Sequence, residues 1–405
     1  MRYRFDVIVV GAGPVGMTCA LALFRHGLDV CVLEQEPAPV VDQRAASIHP
    51  TTLEMLDGLG IAQDIIPRGL KAPTFQFYDR VSGERIAAFD LGLLRDEFRF
   101  PYVLQYEQYK LSRDITARFS AEAGFSARYG ESFRGVSHDD DGLDVRVDTP
   151  DGEAVYRARY LVGADGGRSA VRRAMGIPFE GFTYEERFIK IATDFDFRRA
   201  HPDYAFRNYF SDPDEWCNLF HVRGERPEGL WRAIFPTRPG ESAEDALKPA
   251  AIEARMQKFF PQAASYRVDY CDVYSVSQRV AETFRKGRVC LAGDAAHVNN
   301  PIGGMGMNGG IHDAVNLAGK LARVIRGEIG DDLLDLYSRQ RRHAAVAYVQ
   351  AQTIANKKLL EERDPIVRRD MLAEIRATAE NHERAKAFMR RASLADSLRL
   401  AASVA

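Results

Sequence analysis

Between Phe5 and Glu34 the order of apolar and polar positions fits one local architecture. Asp6–Val10, DVIVV, is an almost continuous apolar run, as a strand buried on both faces of a parallel sheet requires. The glycine-rich turn GAGPVG follows. Over Pro14–His26, Val15, Cys19 and Leu23 recur at helical spacing, with the proline at a position where its missing N–H costs nothing. Gly27 stops that helix and LDVCVLE supplies the next apolar strand. Strand, glycine turn, helix and strand make a βαβ unit of the dinucleotide-binding type.

The pattern then changes several times. HPTTLEMLDGLG predicts a short helix with a glycine stop, and Tyr106–Ala123 a longer one built on Tyr109, Leu111, Ile115 and Phe119. Two strand-like runs flank the turn at Asp139–Gly142, and a second turn stands at Asp151–Gly152. Together they read as a β-meander, after which RYLVGADGG returns to a parallel-type strand. From Phe179 to Ser277, strand-like runs such as FIKIATDFDF and LWRAIF alternate with polar turns. One helix, near Ser242–Phe260, interrupts them. KGRVCLAGD is a return strand, and Ala314, Leu317, Ala318, Leu321 and Ile325 form a helical stripe behind it. The chain beyond Asp331 is helical in pattern. The expectation is an α/β fold. A Rossmann-like domain in two parts (1–178 and 279–330) carries an inserted antiparallel sheet (179–278), and a helical tail covers 331–405.

Composition narrows the class. The chain has 405 residues, a formal charge of −2, 46% hydrophobic and 28% charged residues. That length supports more than one packed unit, and the near-neutral charge gives no electrostatic case for nucleic acid or an anionic membrane. No apolar run reaches the roughly 18 residues that span a bilayer. A removable leader is not expected, because the first strand begins near Phe5. Five cysteines without a CxxC pair suit a reducing cytoplasm. The nine histidines show no metal-ligand spacing, and no GxSxG is present.

Three motifs carry candidate chemistry. Gly11, Gly13 and Gly16 permit, in turn, a tight bend, close approach of a pyrophosphate and close helix–strand packing. The helix beginning at Pro14 and Val15 offers its N–H groups to phosphate. Glu34, ending the next strand, is placed to accept ribose hydroxyls. In GADGGRSAVRR, Asp165 either caps a helix or binds a cofactor, and Arg168, Arg172 and Arg173 form a basic cluster. GDAAHVNNPIGGMGMNGG puts Asp294 at a strand end. Its glycine-dense loop, Gly303–Gly310, implies backbone lying directly against something. His297 and His312 read as loop histidines with satisfied ring nitrogens.

Together, in this order, these motifs resemble those of single-component FAD-dependent aromatic hydroxylases of the para-hydroxybenzoate hydroxylase kind, over nearly the whole chain. QRAASIHPTTLEMLDGLGI is similar to the phenol and hydroxyphenylpropionate hydroxylase branch, some of whose members carry a C-terminal thioredoxin-like domain, where only helices are expected here. The resemblance implies tightly bound, non-covalent FAD. Gly11, Gly13, Pro14, Val15, Gly16, Glu34 and Gln35 would serve its ADP half. Arg44, Gln105, Val136, Asp165, Arg168 and Asp294 would lie along it. Pro301 and Gly304, Gly306, Met307 and Asn308 would lie at the isoalloxazine edge. It further implies a cytoplasmic enzyme of aromatic catabolism, often dimeric, that uses NADH or NADPH and O2 to hydroxylate an activated ring through a flavin C4a-hydroperoxide. An epoxidase or polyketide or isoprenoid monooxygenase of the same fold is the alternative in chemistry, and a non-catalytic flavoprotein the alternative in class. A base or hydrogen-bond relay for the substrate hydroxyl is expected. The middle sheet offers Arg207, Tyr209, His221, Arg223 and Arg232. Strand alternation puts Arg207 and Tyr209 on one face without saying whether it points inward.

Overall fold

The computed structural model describes residues 4–41 and 44–405. Its first sheet has eight strands. At its centre Arg4–Val10 pairs in parallel with Val30–Glu34 on one side and Gly152–Gly163 on the other. Phe125–Tyr129 and Val289–Leu291 continue the sheet in parallel on either flank. The meander Ser132–Asp139 and Gly142–Thr149 hangs from the first half of Gly152–Gly163. One long strand therefore serves the hairpin with its first residues and the parallel core with its last. Val7, Ile8, Val9, Val30, Val32 and Leu161 are fully buried, as their uninterrupted apolar runs demand. The helices Pro14–Arg25 and Met305–Ile325 pack on each other in the same core.

A second eight-stranded sheet runs in the order His297–Val298, Val268–Ala281, Phe179–Thr193, Leu230–Pro236, Cys217–Val222, Arg207–Ser211, Thr74–Asp79 and Arg85–Asp90. All its pairings are antiparallel except that of Arg207–Ser211 with Thr74–Asp79. The last two strands come from a stretch to which the sequence pattern assigns no element. Each is only six residues long, too short for a strong period-2 signal. The helix expected over Ser242–Phe260 is two, Ala243–Ala246 and Pro249–Phe259. The residue before a proline is pushed out of the helical region, and Lys248 is extended at ψ 134°. The helix expected at Tyr106–Ala123 spans Gln108–Phe119, because Glu107 is extended and Gly124 turns the chain at φ +91°.

The tail forms Asp332–Ala344, a wider π-type turn at Ala345–Gln350, then Ala351–Glu361, Pro365–Glu380, His382–Ala392 and Ala395–Ala402. These helices do not stand apart. Leu360, Ile375, Ala385 and Met389 bury themselves with Phe75, Phe89 and Tyr209 of the second sheet. No described helix is long and apolar enough to cross a membrane.

Candidate active site

Three glycine motifs, remote in sequence, meet at one end of the parallel sheet. Gly11 sits at φ +104°, and a β-carbon there would lie 2.5 Å from the Ala164 carbonyl oxygen, so the first turn rests directly on the second motif. A β-carbon at Gly16 would lie 1.9 Å from the Gly11 carbonyl oxygen, which fixes the turn itself. Gly13 faces open space. Val15 wedges between the first and third motifs: its methyls would lie 3.0 Å from a β-carbon on Gly293 and 2.5 Å from one on Gly310. Pro14 opens the helix, and the Ala12 N–H donates to Glu34 Oε2 at 2.8 Å. Gln35 is exposed beside it.

The second motif is built as a cap. Asp165 accepts from the N–H groups of Ala170 (2.6 Å) and Val171 (3.1 Å) and from the Ser169 hydroxyl. Of the basic cluster only Arg168 and Arg173 stay exposed. Arg172 is buried, donates to the carbonyls of Ala295 and Gly167, and lies 3.7 Å over the Phe179 ring. It is a clamp between the second and third motifs rather than part of a basic surface. Val136 is half-buried in the meander opposite Val145. Asp294 is exposed in the short turn Gly293–Ala295, and Arg44 is exposed after the second strand.

The third motif ends in a helix start. Gly303 and Gly304 have φ +101° and +71°, and Gly304 is the residue before the Met305–Ile325 helix. The Pro301 carbonyl accepts from the Gly304 N–H at 2.9 Å, which curls the loop so that the amides of Gly306, Met307 and Asn308 lie in the first turn. The Asn308 side chain is fully buried and fully used. It accepts from the His49 N–H and donates to the carbonyls of Ser47 and Gly304. The Ser47 hydroxyl donates to Gln105 Oε1 at 2.7 Å, and the buried Gln105 Nε2 is left with no partner.

His297 and His312, expected as loop residues, are both buried in the core around this helix. His297 Nε2 lies 2.8 Å from Asp313 Oδ2. Arg341 donates to Asp313 Oδ1 at 2.6 Å, and the Gly293 N–H donates to Oδ2 at 3.0 Å. His312 Nε2 pairs with the Thr52 hydroxyl at 3.0 Å.

Beside Gly303 lies a narrow cavity of about 40 Å³. The second sheet contributes Phe75, Phe77, Arg207 and Tyr209, the glycine loop Ile302, Gly303 and Met305, and the tail Gln352, Asn356, Leu360, Phe388 and Arg391. Arg207 and Tyr209 therefore stand on the inward face. Tyr209 stacks on Phe77 at 5.0 Å and accepts from the Arg207 guanidinium at 2.9 Å. Arg207 is 5% exposed, forms no ion pair among the described residues, and has an Nε without a partner.

The other middle-sheet candidates lie elsewhere. His221 stacks on Trp231 at 4.7 Å and donates to the Glu228 carbonyl, and burial lowers its basicity. Arg232 lies 3.8 Å from the buried Glu107 carboxylate and over the Tyr270 ring, and Arg223 is exposed. None of the three lines the cavity. Sequence reasoning missed two contributors. One is the tail, whose polar residues are scattered among ordinary helix positions. The other is His49, buried against Gly303 and Gly304 of the glycine loop. Its only sequence signal is a histidine where a helix start favours Ser, Thr, Asp or Asn.

Residues 4–352 match the family described as FAD binding domain. The chain is 36% identical over 367 residues to para-nitrophenol 4-monooxygenase of Pseudomonas sp. (strain WBC-3), covering 89% of each. It is 32% identical over 370 residues to the 3-(3-hydroxy-phenyl)propionate/3-hydroxycinnamic acid hydroxylase of Mycolicibacterium smegmatis, covering 90% of this chain but 64% of that longer protein. Among solved structures, p-nitrophenol 4-monooxygenase from Pseudomonas putida DLL-E4 superposes with a TM-score of 0.90 at 33% identity, over 96% of this chain and 97% of that one.

Proposed function

The chain belongs to the FAD binding domain family, and on that footing we propose that this FAD-dependent aromatic monooxygenase acts on a single-ring phenol bearing a second anionic or strongly accepting group. One observation carries the substrate reading: Arg207 is a buried guanidinium in an aromatic cavity with no carboxylate partner among the described residues. The rings of Phe75, Tyr209 and Phe220, at 5.6–6.0 Å, offset part of the cost of burying this charge, and a ligand with a negative or strongly accepting oxygen would offset more of it. The para-nitrophenol monooxygenases, whose named substrate pairs a phenol with such a group, support that reading. The cavity walls are mostly aromatic and aliphatic side chains, Phe75, Phe77, Leu91, Val103 and Phe388 among them, which suits a planar ring.

The residues present suit FAD. Gly13 leaves open space in front of a helix N-terminus, Gly304 turns the backbone as only glycine does readily, and Gln105 Nε2 is a buried donor awaiting an acceptor. In this reading Gly11, Gly13, Pro14, Val15, Gly16, Glu34 and Gln35 serve the ADP half. Arg44, Gln105, Val136, Asp165, Arg168 and Asp294 flank the cofactor, although the carboxylate of Asp165 is already engaged in its cap. Pro301, Gly304, Gly306, Met307 and Asn308 shape the seat of the reactive ring. Bound FAD supplies hydride acceptance from NAD(P)H and activation of O2 for transfer of one oxygen atom. The first-turn amides present partial positive charge to that ring, Arg207 and Tyr209 orient the substrate, and the tail helices keep water out. The second sheet serves as the substrate-binding insertion, and a cytoplasmic homodimer is the proposed form, checked by light scattering.

The test is a substrate screen on protein fully loaded with FAD. It follows NADH and NADPH oxidation with 4-nitrophenol, hydroxyphenyl acids and fused-ring phenols, and identifies products by mass. Substrate-stimulated oxidation and a ring-hydroxylated product are expected from single-ring phenols. Full flavin loading with no such product from any of them would end the proposal.

A further inference from the structure

The turn at Gly303 and Gly304, φ +101° and +71°, joins the cavity to the first turn of the Met305–Ile325 helix. Ile302 leads into that turn, and asparagine side chains hold both of its main-chain groups. Its N–H donates to Asn300 Oδ1 at 3.1 Å, and its carbonyl accepts from Asn356 Nδ2 at 3.2 Å. Asn300 is fully buried. Its own N–H donates to Gln278 Oε1 of the second sheet, and its Nδ2 donates to the Thr353 carbonyl at 2.9 Å. Asn356 is held in turn by Gln352, one helical turn earlier, whose Nε2 donates to Asn356 Oδ1 at 2.9 Å and so aims Nδ2 at the loop. Gln352, Thr353 and Asn356 all belong to the Ala351–Glu361 helix of the tail. That helix leaves the π-type turn Ala345–Gln350, and such turns recur at functional sites. The fit is close: a β-carbon on Gly303 would lie 2.7 Å from Asn356 Nδ2. Gln352 and Asn356 also line the cavity, beside Ile302 and Gly303. Asn356 lies beyond residue 352, where the family match ends.

We propose that Asn356, oriented by Gln352, is a positioning residue for oxygen transfer. It fixes the 302–304 turn so that the first-turn amides of Gly306, Met307 and Asn308 face the reactive ring of FAD, while the same side chain walls the substrate cavity. This rests on the reading of the glycine loop as the seat of that ring. Glycine has the most backbone freedom of any residue, so two in succession keep one turn only when neighbours pin it. A helix N-terminus offers its partial positive charge only over the first turn, so a loop that shifts weakens that charge at the ring. Asn356 neither gives nor takes a proton; it acts through the loop.

The experiment uses FAD-loaded protein and needs no turnover. Amide hydrogen exchange is followed in peptides covering 300–306, and the midpoint potential of the bound FAD is measured against a redox dye. Asn356→Leu, close in volume and without a donor, should speed exchange in that segment about tenfold and shift the potential to a more negative value, with FAD retained. Gln352→Leu, which leaves Asn356 in place but frees its amide, should do the same to a smaller extent. Ile354→Ala, on the exposed side of the same helix, should change neither. Exchange across 314–321 should keep the wild-type rate in all three, which separates release of the loop from unfolding of a variant. Unchanged exchange at 300–306 in Asn356→Leu, or an equal rise in both segments, would overturn this inference and leave the proposed function standing. Faster exchange at 300–306 with an unchanged potential would show that the turn does not seat the ring, and both readings of the loop would fall. A wild type that hydroxylates no phenol would remove the substrate reading alone, since neither measurement uses a phenol.

Discussion

Gly11 and Gly13 are two residues apart and identical in side chain, yet the structure gives them different burdens. A β-carbon at Gly11 meets the Ala164 carbonyl oxygen at 2.5 Å on a backbone with φ +104°, whereas one at Gly13 meets nothing within 4 Å. Gly11→Ala should destabilise the protein by several kcal/mol even without cofactor, through strain and a main-chain clash. Gly13→Ala should leave the apoprotein within about 1 kcal/mol of wild type, because the backbone there is ordinary (φ −67°). It should nevertheless abolish retention of FAD. Melting temperature without FAD and visible absorbance after reconstitution separate the two; equal apoprotein stabilities would refute the distinction. The glycines were legible as backbone requirements because their spacing follows a strand and opens a helix. The work of Val15 was not: an apolar residue at helical spacing says nothing of Gly293 and Gly310, which arrive from the other end of the chain. Arg207 and Tyr209 were legible as a pair through strand alternation, but a period of two does not name the inward face. Asp165 had two readings, and its contacts are those of the cap.

At the scale of the element, the Met305–Ile325 helix is held in place through Asp313. Burial would raise this carboxyl, but the Arg341 guanidinium and His297 hold it down to about 2. Asp313→Asn removes the counter-charge of a buried guanidinium and should cost about 3–5 kcal/mol in urea unfolding at neutral pH. The folded value lies below the ordinary carboxylate range, so Asp313 contributes fully above about pH 5 and its contribution fades as pH falls from about 4 toward 2. The wild-type advantage over the variant should shrink in that window. A constant difference down to pH 3 would show that the network does not depend on the charge. The helix itself was legible from its apolar stripe. Its tether was not, because Gly293, His297, Asp313 and Arg341 share no local pattern. The strands Thr74–Asp79 and Arg85–Asp90 were missed for a related reason: Thr74–Asp79 joins the sheet by pairing with Arg207–Ser211, more than a hundred residues away, and Arg85–Asp90 follows on its outer side.

The cavity exists only in the whole molecule, since its walls come from the second sheet, the glycine loop and the tail. Phe388 shows the dependence: it stacks on Phe89 at 4.5 Å and lines the cavity from the far side. Phe388→Ala should cost about 3–4 kcal/mol and admit bulkier phenols, with less product formed per NAD(P)H consumed. Unchanged product yield together with unchanged stability would show that the tail does not close the site. Acid tolerance is likewise set by the assembled core. Burial holds His312 down to about 3 and places His49 well below its ordinary value. In the unfolded chain both take up protons near pH 6.5. Below that pH the unfolded state binds more protons than the folded state, so stability must fall as pH falls, by about 1.4 kcal/mol per pH unit for each ring. Two rings predict a slope near 2.7 kcal/mol per unit between about pH 6 and 4. His312→Gln can keep the contact with Thr52 but cannot titrate, so it should remove about half of that slope in urea unfolding. A slope that survives the substitution would mean that the fold's acid sensitivity arises outside this core, and that His312 is not held neutral as its burial requires.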